Sequence, residues 1–236
     1  MPKAVVCLPT YNERENLERM IDALAPLGVG VLVIDDNSPD GTGAIADELA
    51  ATRDWVSVLH RTAKEGLGRA YIAGFREVLA TDAAYVMQMD CDFSHDPAEV
   101  PRLIAAVDAG ADVAIGSRYV AGGGTSNWGL HRRLMSLGAS FFIRLILMPV
   151  RDATGGFKCF RREVLEAIDL DSIDAAGYVF QVETTFRARR KGFRVVEVPI
   201  HFADRTAGTS KMNFAVALEG IWKVPLLRLS ALMGRL

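Results

Sequence analysis

Cysteine is scarce. Cys7, Cys91 and Cys159 are the three in 236 residues, odd in number, far apart and without a CxxC pair. That excludes a disulfide framework and a structural zinc site, and it fits a reducing compartment. The four histidines, His60, His95, His131 and His201, are scattered and show no HExxH spacing. Uncharged apolar runs of roughly 18 residues are missing, so no transmembrane helix is expected. The nearest approaches are broken by Arg144 and by Glu219, Lys223, Pro225 and Arg228. The opening stretch, MPKAVVCLPTYNE, lacks the apolar h-region of a signal peptide. An excess of one charge is missing too. A net charge of −2 excludes a globally basic nucleic-acid binder, and no nucleic-acid partner is expected. What is present is 50% hydrophobic and 24% charged, with 21 glycines and 9 prolines spread along the chain. That excludes disorder and predicts one globular domain with a short appendage.

Short apolar runs alternate with helical periodicity through the first half. Ala4–Leu8, Val31–Ile34, Val56–His60, Tyr85–Met89 and Val113–Gly116 read as buried parallel strands. Between them Glu13–Leu24, Ala44–Ala51, Gly68–Leu79 and Pro97–Ala109 read as helices. The alternation predicts an α/β fold, a mainly parallel sheet flanked by helices. The second half differs. Ala121–Gly129 reads as a Gly-rich loop, His131–Met148 and Phe180–Arg190 as helices, and Phe193–Pro199 as a strand. Ala203–Asn213 reads as a polar loop and Val216–Leu236 as an apolar helix carrying charges.

Ligands of such sheets sit at the carboxyl ends of the strands. Three of those ends are acidic: Glu13 in PTYNE, Asp35 and Asp36 in VIDDNSPDG, Asp90 and Asp92 in MDCDFSH. In an extended segment residues i and i+2 face the same way, so Asp90 and Asp92 can converge on one hard cation, Mg²⁺ or Mn²⁺. Cys91 then points towards the core and reads as a buried apolar cysteine. Asp96, Pro97 and Glu99 read as an N-cap, a first-turn proline and a capping-box glutamate, which makes Asp96 structural. His95 reads equally as a substrate contact or as local packing. A carboxylate at Asp35 or Asp36 suits a base edge or ribose. The GxGxxA match beginning at Gly41 is a decoy, because six residues separate it from the strand. No GxxxxGK(S/T) occurs, so a P-loop is excluded. Arg118, Arg132, Arg133, Arg205 and Lys211 stand in or beside loops and suit phosphate oxygens.

PTYNERENL, VLVIDDNSPDGT, KEGLGRAY, MDCDFSHDP, GSRYVAGGG, TGGFKCF and ADRTAGTSK follow one another in an order that resembles the dolichol- and polyprenol-phosphate mannose synthases. These are inverting GT-A glycosyltransferases of family 2. The resemblance covers about Ala4 to Asn213; the QxxRW motif of processive polysaccharide synthases is absent. It implies a GT-A domain over residues 1–213 and a membrane- or partner-facing helix over 214–236. It implies a nucleotide pocket at Pro9, Tyr11 and Glu13, with Ile34 and Asp36 near base and ribose and Met89, Asp90 and Cys91 bordering the nucleotide. Asp90 and Asp92 would hold the metal, and Arg118, Arg205 and Lys211 would face phosphates, with Asp92, Arg118, Arg205 and Lys211 as the catalytic set. Arg132 matches an acceptor-phosphate position. Some relatives place a Gln metal ligand where Ser94 stands here. The implied donor is GDP-mannose and the acceptor a polyprenyl monophosphate. The enzyme would work peripherally on the cytoplasmic face of a membrane, by the terminal helix or by docking to a separate transmembrane protein. Two other readings are a related transferase using UDP-glucose and a catalytically idle membrane-surface module.

Overall fold

The structure is a computed structural model that describes residues 2–126, 128–173, 177–203 and 214–234, with the backbone alone for Tyr178 and residues 214–219. The first half alternates strand and helix in the expected order: β1 (Ala4–Thr10), α1 (Leu17–Leu24), β2 (Gly30–Asp35), α2 (Thr42–Thr52), β3 (Val56–His60), α3 (Leu67–Leu79), β4 (Tyr85–Gln88), α4 (Val100–Asp108) and β5 (Val113–Ser117). The second half holds β6 (Gly124–Thr125), α5 (Leu130–Ile146), β7 (Lys158–Arg161), α6 (Arg162–Ala167), α7 (Tyr178–Arg190), β8 (Val195–Pro199), β9 (His201–Phe202) and α8 (Phe214–Leu232).

Among the described residues seven strands form one sheet in the order β3-β2-β1-β4-β7-β5-β8. Pairings are parallel except at β7, which runs antiparallel to both β4 and β5. Both faces are buried. Val5, Cys7, Leu32, Ile34 and Val86 join the core under α3, α6 and α7, while Ala4, Val6, Leu8, Val31 and Val33 join the core under α1, α2 and α4. Burial on two sides is why these strands read as continuous apolar runs rather than as alternation.

Helix α6 has no counterpart in the sequence-based expectation, and three further features depart from it. The TGGFKCF segment contains strand β7, hidden because it is four residues long and begins with a fully buried lysine, Lys158. Within the expected Gly-rich loop, β6 pairs in parallel with β9. Gly123 permits that path, since a Cβ there would stand 2.5 Å from the Ser117 carbonyl oxygen. Helix α1 starts only at Leu17, because the Glu13 carbonyl accepts from the Asn16 and Leu17 amides in a preceding turn. Among the described residues no helix is long and apolar enough to cross a membrane.

Candidate active site

The carboxyl ends of β1, β2, β4 and β5 open into one cavity of about 840 Å³. Its first wall is the PTYNE loop, and side chains of the following loop hold it. Ser38 Oγ accepts from the Asn12 amide at 3.1 Å, Thr42 Oγ1 from the Glu13 amide at 3.0 Å, and Asp40 Oδ2 from the Arg14 amide at 3.3 Å. The SPDGT motif is thus a brace. Asp35 belongs to it, accepting from Ser38 Oγ at 2.6 Å, Ser38 N at 3.1 Å and Thr10 Oγ1 at 3.2 Å. Asp36 lines the cavity beside Pro9, Tyr11 and Glu13. It meets Arg61 Nη1 at 2.5 Å; burial raises its carboxyl pKa and the Arg61 ion pair opposes that shift. Lys64 stands 3.8 Å over the Tyr11 ring.

Strand β4 ends at Gln88, and the backbone turns through Phe93 at a φ of 59°. Asp90 and Asp92 both line the cavity. Tyr71 donates its hydroxyl to Asp90 Oδ1 at 3.2 Å, and Ser94 donates its amide at 3.0 Å and its hydroxyl at 2.5 Å to Asp92 Oδ1. Cys91 is buried in the core under α1 and α4 with its atoms reaching the cavity wall. Burial first, then the charges of Glu13, Asp92 and Asp90, raises its thiol pKa well up, so it stays a protonated apolar group. His95 is buried, stacked on Phe157 at 5.0 Å and edge-on to Phe202 at 5.3 Å. Its Nδ1 accepts from the Asp90 amide at 3.2 Å. Burial lowers its pKa, and a neutral ring accepting at Nδ1 carries its proton on Nε2. Asp96 Oδ1 caps the turn at Pro97–Glu99 by accepting from Ala98 N at 2.9 Å, the structural role its sequence context indicates.

Two expected residues lie elsewhere. The Ile34 and Met89 side chains are fully buried in the two cores and are absent from the cavity wall; Ile34 is directed to α3, where a Cβ on Gly74 would collide with it. Arg118 lines the cavity, but its guanidinium is engaged. It donates to Asp152 from Nε at 2.7 Å and from Nη2 at 2.6 Å, and to Thr154 Oγ1 at 3.0 Å. Asp152 is fully buried, and sequence reasoning missed it. Arg132 lines the cavity with its guanidinium 4.2 Å over the Trp128 ring. Arg205 and Lys211 lie outside the described residues. Sequence reasoning also missed Arg61, Trp128 and Gln181; an arginine just past β3 and a glutamine within α7 carry no local signal of which way they face.

Beyond Asp90 and Arg132 the cavity turns apolar, between Met135, Phe142 and Ile143 of α5, Val179 and Val182 of α7, and Ile221 and Val224 of α8. Helix α8 packs on α5 and α7 through Val224 and Ala231 and exposes Trp222, Leu226 and Leu229. Helix α5 buries Ser136 and Ser140 and exposes Leu130, Leu134, Leu137, Phe141 and Leu145.

Comparison with known proteins adds four findings. Residues 5–169 match the family model described as glycosyl transferase family 2. A polyprenol monophosphomannose synthase of Mycolicibacterium smegmatis is 50% identical over 226 residues, 94% of this chain and 85% of that protein. An undecaprenyl-phosphate mannosyltransferase of Micrococcus luteus is 46% identical over 227 residues, 94% of this chain and 92% of that protein. Among solved structures, a mannosyltransferase of Pyrobaculum calidifontis in complex with GDP-Man and Mn²⁺ superposes with a TM-score of 0.64 at 16% identity, over 99% of this chain and 64% of that one. That likeness is one of fold.

Proposed function

The chain belongs to glycosyltransferase family 2 and has the GT-A fold, and from that premise we propose that it transfers mannose from GDP-mannose to a polyprenyl monophosphate at a membrane surface. One observation carries the reading. A single cavity joins a carboxylate-lined polar end, with Asp36, Asp90 and Asp92, to an apolar end between α5, α7 and α8. A charged nucleotide sugar fits the first and a prenyl chain the second. The relatives from Mycolicibacterium smegmatis and Micrococcus luteus, named for that chemistry, support it.

In this reading the base and ribose lie by Pro9, Tyr11, Glu13 and Asp36, and the diphosphate by Asp90 and Asp92. The donors there are oxygens, two carboxylates with the Ser94 hydroxyl bonded to one of them, which suits a hard cation such as Mg²⁺ or Mn²⁺. Among the described residues no three His, Cys, Asp or Glu side chains gather as a metal cluster, so Asp90 and Asp92 would hold the cation only together with the bound nucleotide and water. When bound, the cation neutralises charge on the departing GDP. Arg132 receives the acceptor phosphate, with Trp128 stacked beneath it. Asp152 fixes the Arg118 fork at the cavity wall, so Arg118 shapes the site as half of a neutralised pair. Arg205 and Lys211 would complete the contacts to the leaving diphosphate. The acceptor is already anionic and attacks C1 in line, so no general base is required and the α-linked mannose is inverted.

Attachment to the bilayer falls to the exposed apolar residues of α5 and α8, lying in the interface. The test is transfer of labelled mannose or glucose from GDP-mannose or UDP-glucose to polyprenyl phosphate in vesicles, with and without chelator. Mannose transfer that the chelator stops, and that Asp92→Ala abolishes, is expected. Transfer of glucose alone establishes the UDP-glucose alternative, and no transfer from any donor establishes the idle surface module.

A further inference from the structure

Gln181 sits in the first turn of α7, is 1% exposed, and lines the cavity. Neither its Nε2 nor its Oε1 has a hydrogen-bond partner among the described residues. A buried amide left unsatisfied destabilises the fold, so such a side chain on a cavity wall marks a place where a ligand completes the bonds. Its position is fixed from behind. Lys158, fully buried on β7, donates from Nζ to the Gln181 carbonyl at 2.6 Å and to Thr185 Oγ1 at 2.9 Å, tying the first turn of α7 to the sheet.

The space in front of the amide is kept open by Gly156. A Cβ on that glycine would stand 3.5 Å from Gln181 Nε2, 3.6 Å from His95 Cε1 and 4.0 Å from Asp90 Oδ2. Glycine therefore leaves a gap rimmed by an amide, an imidazole and a carboxylate, which suits a polyhydroxylated group. The sheet order says which part of the donor reaches it. Asp36 follows β2, Asp90 lies just beyond β4, and Gln181 is pinned to β7. At about 4.8 Å per strand, β2 and β7 are roughly 14 Å apart with the Asp90–Asp92 turn between them. A nucleotide sugar with its base by Asp36 and its diphosphate by Asp90 places its hexose over Gly156.

We propose that Gln181 reads the donor sugar, its amide donating to one ring hydroxyl and accepting from another. A hydroxyl both donates and accepts, and an amide offers both roles whichever way it is turned. Gln181 is thus a specificity-determining residue. The inference rests on the nucleotide-sugar reading above but does not require that the sugar be mannose.

The test is a kinetic cycle on the full chain, with Gln181→Met against the unaltered protein. Each is assayed with GDP-mannose and its 2-, 3-, 4- and 6-deoxy forms, with GDP affinity measured in parallel. The expected result has three parts. GDP affinity is unchanged, kcat/KM for GDP-mannose falls about 10- to 100-fold, and at least one deoxy donor that the unaltered protein discriminates against is no longer discriminated against by the variant. A merely structural role would lower the rates for all five donors in proportion, and that outcome, or a variant as fast as the unaltered protein, overturns the proposal. Should Gln181→Met fail to bind GDP, the isosteric Gln181→Glu, which loses only the donating half, is judged by the same criteria. If the unaltered protein transfers no mannose, the mannose reading fails. The cycle is then run as binding of UDP-glucose and its deoxy forms, and Gln181 stands or falls on whether the variant loses the same hydroxyl discrimination.

Discussion

Helices α3 and α5 are written in the same code and end in opposite environments. Helix α3 buries Ala70, Tyr71, Ile72, Phe75 and Val78 and turns Arg69, Arg76 and Glu77 to solvent. Helix α5 repeats large apolar residues at helical spacing too, at Leu130, Leu134, Leu137, Phe141 and Leu145, but these are the exposed ones, Phe141 at 68% and Leu145 at 75%. Its buried face is carried by Ser136, Ser140 and Ile143. Amphipathic spacing states which side of a helix is apolar; it does not state what covers that side. For α3 the cover is the sheet. For α5 and for the outer face of α8 it is something other than the described chain, and a contiguous exposed stripe of this kind marks an interaction surface.

The largest effect tests the helices directly. Phe75 is fully buried, 5.9 Å from the rings of Tyr71 and Phe160. Phe75→Ala should cost about 3–5 kcal/mol of unfolding free energy. Phe141→Ala should change it by no more than about 0.5 kcal/mol. Denaturant unfolding of both variants without lipid measures the difference; a comparable loss from Phe141 would place α5 among the ordinary core helices.

Lys158 is the converse of the exposed phenylalanine, a charge-bearing side chain wholly inside. Burial lowers its pKa to about 7 from the 10.5 of an exposed lysine. Above pH 7 the unfolded chain therefore holds a proton that the folded chain has released. Stability from this group rises with pH, by at most about 1.4 kcal/mol per unit. The rise is visible up to about pH 9, where the thiol of Cys159, raised by burial to about 12 from 9.0, begins to act in the opposite direction. Lys158→Met should remove the rise between pH 7 and 9. A slope that survives the substitution belongs to another group.

Much of this was legible in the sequence, and the exceptions have physical causes. Five parallel strands and the helices between them follow from apolar runs and periodicity. The strand β7 does not, because four residues led by a buried lysine match no strand pattern. The acid pair at Asp90 and Asp92 and the cap at Asp96 are local features and could be read locally. Asp36 meeting Arg61, or Arg118 meeting Asp152, joins residues 25 and 34 positions apart, and no local pattern encodes such a pair. Ile34 and Met89 were placed by resemblance alone, and the pleat directs their side chains into the core. Arg205 and Lys211, proposed for the leaving diphosphate, fall outside the described residues.

The next effect concerns what covers α5. A glutamate at Leu137 and another at Phe141 place two carboxylates on the exposed stripe without touching the buried face. Leu137→Glu with Phe141→Glu should leave GDP binding intact and weaken sedimentation with anionic vesicles by about tenfold or more, since each apolar side chain withdrawn from the interface forfeits about 1.5–3 kcal/mol. Unchanged sedimentation would move the membrane contact to the outer face of α8, where Trp222→Glu with Leu226→Glu is the corresponding pair.

The smallest effects lie at the helix starts, where α4 and α5 differ as α3 and α5 do along their lengths. The turn leading into α4 is capped by Asp96, with Pro97 in its first turn. Asp96→Ala removes an acceptor from the Ala98 amide and should cost about 1 kcal/mol, with transfer activity largely kept because Asp96 caps the turn and does not line the cavity. Helix α5 starts at Gly129, in extended geometry at φ −61° and ψ 148°, with no side-chain cap. Among the described residues a Cβ there would meet nothing within 4 Å. Gly129→Ser should therefore be accommodated and add a few tenths of a kcal/mol, the usual margin between serine and glycine at this position. Thermal unfolding of the two variants, read against the unaltered chain, gives both signs. A gain at Gly129 would show that α5 starts below its attainable stability, as expected of a helix whose apolar stripe no described residue covers. A loss there would mean that the backbone at the start of α5 itself requires the bare glycine.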